Sequence, residues 1–287
     1  MSLSRRALVP LIASAAAGCS PLRAFNTLAP TDGDVRVVAR NLAFGPGPRQ
    51  AMDVYAPAGA GQGPRPVLVF YYGGSWNSGQ RQDYAWAGRA LAAQGFVTAV
   101  PDYRLVPDVR FPAFVEDGAA AVARVRAEAP RLGGDPDRIV LCGHSAGAYI
   151  AVMLACDRRF LQRAGVPDAA LRGAAGLAGP YDFFPFDAGS AIAAFGQAPD
   201  GRQTQPITFA DGDEPPLWLA TGDRDETVRP RNSVALAERV RAAGGRAEVK
   251  VYPGVDHVGI ALALSRPFRG RAPVLADLAG FARGATA

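Results

Sequence analysis

The sequence predicts an α/β fold: a mostly parallel, doubly wound sheet of about eight strands with helices on both faces. Three observations predict it. Short apolar runs alternate with segments of helical periodicity, which is the pattern of strands joined by helical crossovers. Several of those runs, such as Pro66–Tyr72 and Ile139–Cys142, are apolar throughout rather than alternating, as strands covered on both faces must be. The chain has 287 residues, 49% of them hydrophobic and 20% charged, enough to bury one large core.

The elements follow in order. Val35–Ala39 and Met52–Tyr55 read as an opening hairpin across the Gly45-Pro46-Gly47-Pro48 turn. Pro66–Tyr72 is the first core strand, followed by a helix over Asp83–Gln94, a strand over Val97–Pro101 and a helix over Phe114–Ala129. In that second helix Val115, Ala119, Val122 and Val125 form one apolar stripe facing the sheet. Ile139–Cys142 is a strand and Ala146–Cys156 a helix; then come strands at Arg172–Leu177, Leu217–Thr221 and Ala247–Tyr252, and helices at Asn232–Ala243 and Ala272–Ala282. Between Gly179 and Pro216 the periodicity fails while Phe183, Phe184, Phe186 and Phe195 accumulate. A long irregular stretch inside a compact domain is usually functional, and 180–215 reads as a small lid or pocket wall inserted in a single domain over 34–287.

The first residues form a separate unit. Arg5 and Arg6 precede an apolar run from Ala7 to Ala17, too short to span a bilayer, so 1–18 reads as a cleaved export signal and 19–33 as a linker. Ala16-Ala17-Gly18-Cys19 resembles the bacterial lipobox, and Ser4-Arg5-Arg6 a twin-arginine export motif. The resemblance implies lipidation at Cys19 and a periplasmic or membrane-anchored lipoprotein. Cys142 and Cys156 fall at opposite ends of one helical region, about 20 Å apart at 1.5 Å per residue, and are expected as two buried thiols. The net charge of +5 comes from scattered arginines without a basic stripe, which argues against a nucleic-acid partner. Two histidines and three dispersed cysteines cannot furnish the usual zinc clusters, so neither a metal nor a cofactor is expected.

Gly143-His144-Ser145-Ala146-Gly147 has the form G-x-S-x-G and lies where a buried strand meets a helix. A sharp strand-to-helix turn exposes the serine Oγ above the carboxyl end of the sheet and aims a helix N-terminus at a developing oxyanion. A serine nucleophile needs a base, and only His144 and His257 are available. His144 adjoins the serine, where successive side chains diverge. His257 follows the last strand, in the loop Tyr252–His257 at the same sheet end, and is the candidate base. Gly222-Asp223-Arg224-Asp225-Glu226 follows the preceding strand and offers three acids.

These motifs resemble the α/β-hydrolase superfamily, in particular hormone-sensitive-lipase-like and BD-FAE-type serine carboxylesterases. The resemblance runs from about Met52 to Val258. The superfamily's acid lies in a G-x-x-D-x-x-V segment, with the order Ser, Asp, His, which selects Asp225 over Asp223 and Glu226. Tyr72-Gly73-Gly74-Ser75-Trp76 looks like the family's H-G-G-x-W oxyanion loop, which implies Gly73 or Gly74, with Ala146, as main-chain donors. Tyr72 replaces the family's histidine, a departure that bears on the anchoring of the loop. Tyr72, Trp76 and His144 are candidate pocket residues. Asp102-Tyr103-Arg104-Leu105 resembles the family's D-Y-R-L segment, whose role is mainly structural.

The resemblance implies hydrolysis of small-molecule esters with short, medium or aromatic acyl groups. Kynurenine formamidases carry a similar loop and triad, which keeps an arylformamidase-like amide hydrolase open. A lipid-anchored binding protein on an impaired hydrolase scaffold is the alternative from another class.

Overall fold

The computed structural model describes residues 25–26, 29–59 and 63–287; the export segment, Cys19 and most of the linker lie outside the described residues. One eight-stranded sheet organises the chain: β1 (Val35–Ala43), β2 (Ala51–Pro57), β3 (Arg65–Tyr71), β4 (Val97–Pro101), β5 (Gly134–His144), β6 (Leu171–Leu177), β7 (Leu217–Gly222) and β8 (Ala247–Tyr252). The order across the sheet is β1-β2-β4-β3-β5-β6-β7-β8. The β1–β2 hairpin and the β2–β4 pair are antiparallel, and every pairing from β4 to β8 is parallel.

The helices are α1 (Ala85–Ala92), α2 (Ala113–Leu132), α3 (Ala146–Cys156), α4 (Arg159–Arg163), α5 (Gly189–Phe195), α6 (Arg231–Ala242), α7 (His257–Leu262) and α8 (Val274–Ala285). Helix α1 meets α8 in one layer, while α2 packs on α3 in another that α6 joins through the 3-10 turn Pro206–Phe209. Every residue of α3 is buried, from Ala146 to Cys156, as befits a helix pressed between the sheet and its neighbours. Cys142 and Cys156 are free and buried, as expected.

Strands β4 and β8 and helix α3 coincide with the expected spans. Among the described residues, three of the helices above were not expected. Helix α4 is only five residues long, and α5 lies inside the 180–215 stretch, which also carries the 3-10 turns Gly201–Thr204 and Pro206–Phe209. Helix α7 corrects the placement of His257: the loop ends at Asp256, whose side chain accepts the Gly259 N–H at 2.6 Å as an N-cap, so His257 is the first helical residue.

Candidate active site

The candidate residues converge at the carboxyl ends of neighbouring strands: Gly73 and Gly74 after β3, Ser145 after β5, Asp225 after β7 and His257 after β8. Ser145 occupies the turn from β5 to α3 with φ 54° and ψ −120°, a region that costs a non-glycine residue about 1–3 kcal/mol. Its N–H is held by the Leu177 carbonyl at 2.9 Å. The flanking glycines are required by contact: a Cβ on Gly147 would overlap the Tyr71 and Tyr72 carbonyls, and one on Gly143 would overlap the Gly147 main chain. Helix α3 can therefore begin directly against the end of β3.

His257 Nε2 lies 2.9 Å from Ser145 Oγ, and His257 Nδ1 lies 2.8 Å from Asp225 Oδ2. The Asp225 side chain is fully shielded and that of His257 is 14% exposed. The other Asp225 oxygen, Oδ1, accepts the N–H groups of Thr227 at 3.0 Å and Val228 at 2.8 Å, which fixes the carboxylate plane. Asp223 is occupied elsewhere, accepting the Gly254 N–H at 2.7 Å and so tying the loop after β7 to the loop after β8. Glu226 is exposed.

His144 does not approach the Ser145 hydroxyl. Its Nε2 lies 2.9 Å from the His257 carbonyl oxygen and donates to it, while its Nδ1 is buried without a partner among the described residues. Burial first, and then the charge of His257, depress its pKa to about 3, so the ring is neutral.

Along the oxyanion-type loop, Ala146 is the first residue of α3 and its N–H has no partner within the helix. Gly74 directs its carbonyl to the N–H groups of Asn77 and Ser78, and its own N–H donates to no acceptor among the described residues. Gly73 N–H faces the Tyr84 hydroxyl, whose pKa burial and Asp83 raise to about 12 while that contact pulls it down.

Tyr72 is not a pocket residue. It is wholly buried, its ring stacked on Tyr103 at 4.7 Å and on Tyr84 at 5.5 Å. Its hydroxyl donates to Asp102 at 2.9 Å and accepts from Arg49 at 3.3 Å, and Tyr103 returns a hydrogen bond to the Tyr72 carbonyl at 2.9 Å. A tyrosine at this position therefore anchors the loop through the D-Y-R-L segment. Trp76, only 5% exposed, joins Tyr149 of α3 to Phe183 and Phe195 of the 180–215 stretch, with ring centroids at 5.5, 6.0 and 4.8 Å.

Sequence reasoning missed Arg81. It is 5% exposed and paired with Asp53 and Asp102, and it donates to the Asn41 side chain. Its setting, Gln80-Arg81-Gln82-Asp83, looks like a solvated helix start, and no local signal reveals the two carboxylates it meets. A cleft of about 710 Å³ involving Leu161, Leu171, Pro216 and Phe281 opens at the amino ends of β6 and β7, the sheet end opposite Ser145. It is distinct from this site.

The sheet order, the strained Ser145 turn and the Ser145–His257–Asp225 contacts are those of an α/β-hydrolase. A family model described as BD-FAE matches residues 52–240, and the chain belongs to that family. It is 28% identical over 256 residues to a probable isoprenylcysteine alpha-carbonyl methylesterase of Arabidopsis thaliana, covering 81% of this chain and 53% of the plant protein. It is 30% identical over 239 residues to the esterase LipC of Mycobacterium tuberculosis, covering 76% of this chain and 59% of LipC. The chain thus spans little more than half the length of these relatives. Among solved structures, esterase B of Lactobacillus rhamnosis, crystallised with a tributyrin phosphonate inhibitor, superposes with a TM-score of 0.81 at 21% identity, covering 92% of this chain and 90% of that one. A truncated carbohydrate esterase from gut microbiota superposes with a TM-score of 0.78 at 20% identity, covering 90% and 99%. These two likenesses establish the fold.

Proposed function

We propose that this chain hydrolyses carboxylic esters through an acyl-enzyme on Ser145. The observation that carries the reading is the contact chain from Ser145 Oγ to His257 Nε2 at 2.9 Å and from His257 Nδ1 to Asp225 Oδ2 at 2.8 Å. Ser145 Oγ attacks the ester carbonyl carbon while His257 Nε2 takes its proton; Asp225 keeps Nδ1–H facing itself and stabilises the imidazolium. The tetrahedral oxyanion is met by the N–H groups of Gly74 and Ala146, each donor contributing about 3 kcal/mol, while Gly73 N–H faces the Tyr84 hydroxyl. His257 then protonates the departing alcohol. Water, deprotonated by the same nitrogen, releases the acid and restores Ser145. The esterase names of the curated relatives support the same chemistry.

The test is labelling by a fluorophosphonate and hydrolysis of short p-nitrophenyl esters. Ser145→Ala is expected to lose the adduct and roughly 10⁵- to 10⁶-fold in kcat; an adduct elsewhere, or undiminished hydrolysis, overturns the reading. The support for short, medium or aromatic acyl groups is the aromatic cluster that Trp76, two residues after Gly74, makes with Phe183 and Phe195 of the 180–215 stretch. Accordingly kcat/KM is expected to fall beyond medium chain length, and a preference for long chains would contradict this assignment.

Export and lipidation at Cys19 belong to the proposal. Its support is the sequence Ala16-Ala17-Gly18-Cys19 after an apolar run. Cys19→Ala is expected to abolish incorporation of labelled palmitate in a bacterial host, and unchanged incorporation would remove the anchor.

A further inference from the structure

We infer that His144 is a positioning residue, holding the main chain of His257 so that the imidazole stays between Ser145 and Asp225. The inference rests on the hydrolytic reading above. His144 and Ser145 are adjacent, and between them they grip one residue at both ends: Ser145 Oγ meets the His257 ring at 2.9 Å, and His144 Nε2–H meets the His257 carbonyl at 2.9 Å. The two imidazole rings lie 4.9 Å apart. His144 closes β5 and is in register with Leu177 of β6, so its Cα is held by the sheet. His257, by contrast, begins a six-residue helix shortly after the Pro253-Gly254 turn. The hydrogen bond transfers the rigidity of the central strand to a base carried at the edge of a loop, where displacement by about 1 Å costs roughly 100-fold in rate.

The other side of the ring explains why histidine suits the position. A Cβ built on Gly73 would stand 2.9 Å from His144 Nδ1 and 3.1 Å from Ser145 Cβ, so Nδ1 faces the oxyanion loop at close range. With Nε2 donating, Nδ1 carries a lone pair, and no donor or acceptor among the described residues meets it. Protonation there would bury a charged N–H without a partner. The charged or titratable groups that act on the ring are His257, which opposes protonation, and Asp225, which favours it but is engaged by His257 and by main-chain N–H groups. His144 thus braces the base while remaining neutral, and positive charge in the cycle arises on His257 alone.

Because the chain has only two histidines, imidazole ¹⁵N NMR reads each ring directly. The expected result is one ring, absent from His144→Gln, that stays in the neutral Nε2–H tautomer from pH 9 to pH 5. His144→Phe is expected to lower kcat roughly 10- to 100-fold with little change in KM. His144→Gln, whose amide N–H can reach the same carbonyl, is expected to recover most of that loss. A His144 ring that protonates above pH 5 or carries its proton on Nδ1 overturns the inference, as does wild-type kcat in folded His144→Phe. If His144→Phe fails to fold, the NMR tautomer and the His144→Gln kinetics decide. Fluorophosphonate labelling separates the two readings: an unlabelled wild type removes the hydrolytic reading and this one with it, whereas a labelled wild type with full kcat in His144→Phe removes the positioning role alone.

Discussion

Asp225→Asn is expected to lower kcat about 10⁴-fold while leaving the fold and its stability nearly unchanged. The direction follows from the hydrogen bonds of the carboxylate. Asp225 Oδ1 accepts the N–H groups of Thr227 and Val228, and Oδ2 faces His257 Nδ1 at 2.8 Å. An asparagine must keep its carbonyl oxygen toward the two main-chain donors, because turning the amide would oppose N–H to N–H twice. Its NH₂ group then faces His257 Nδ1, which can meet a donor only with its lone pair. The imidazole proton moves to Nε2, where it points at Ser145 Oγ, and the nitrogen needed to deprotonate the serine is spent. The loss should appear in kcat, with KM and the unfolding midpoint close to wild type. Steady-state kinetics beside a urea titration check it. A loss of less than tenfold would mean that the Asp225 contact does not set the tautomer.

The alternation of apolar runs and helical stripes made the sheet legible, because strands buried on both faces are written almost wholly in apolar residues. The spans differ most where an element leaves the core. Strand β5 begins at Gly134 rather than Ile139, through the polar residues Asp135-Pro136-Asp137-Arg138. Helix α7 was hidden because its start signal is one capping aspartate, Asp256, after a Pro-Gly turn, and its body is six residues long. Ser145 and His257 could be chosen because a glycine-flanked serine and a scarcity of histidine are local facts of the sequence, while Asp225 needed a family pattern to separate it from Asp223. The structure supplies a physical ground for that separation, since the Asp223 side chain accepts the Gly254 N–H. Contacts that close only in three dimensions left no such trace. The main-chain carbonyl of His257 that meets His144 has no sequence signature, and Tyr72 looked like a departure from a motif until its partner Asp102, thirty residues on, was in view.

Arg81→Met is expected to cost about 3–5 kcal/mol, the largest loss of stability from a single substitution near the site. The side chains of Arg81, Asp53 and Asp102 are 5–6% exposed. The Arg81 main-chain N–H also donates to Asp102 at 2.7 Å, so the guanidinium and the backbone of one residue hold the same carboxylate. Methionine fills a similar volume but leaves two buried carboxylates without the guanidinium, with the main-chain N–H groups of residues 81 and 41, the Tyr72 hydroxyl and, through Tyr72, the partly buried Arg49 as the remaining polar neighbours. If uncompensated charge is the cause, Asp53→Asn should recover part of the loss in the Arg81→Met background while destabilising the wild type. Unfolding free energies of the four proteins form the double-mutant cycle that measures this coupling. A single-mutant loss below about 1 kcal/mol would mean that water enters the network on substitution. Activity is expected to fall in the folded fraction as well, and by a route that stability alone does not dictate. Asp102 receives the Tyr72 hydroxyl at 2.9 Å, and Tyr72 directly precedes Gly73 and Gly74. Loss of Arg81 therefore loosens the anchor of the main-chain donors, and the deficit should be larger in kcat than in KM, because those donors meet charge that develops only in the transition state.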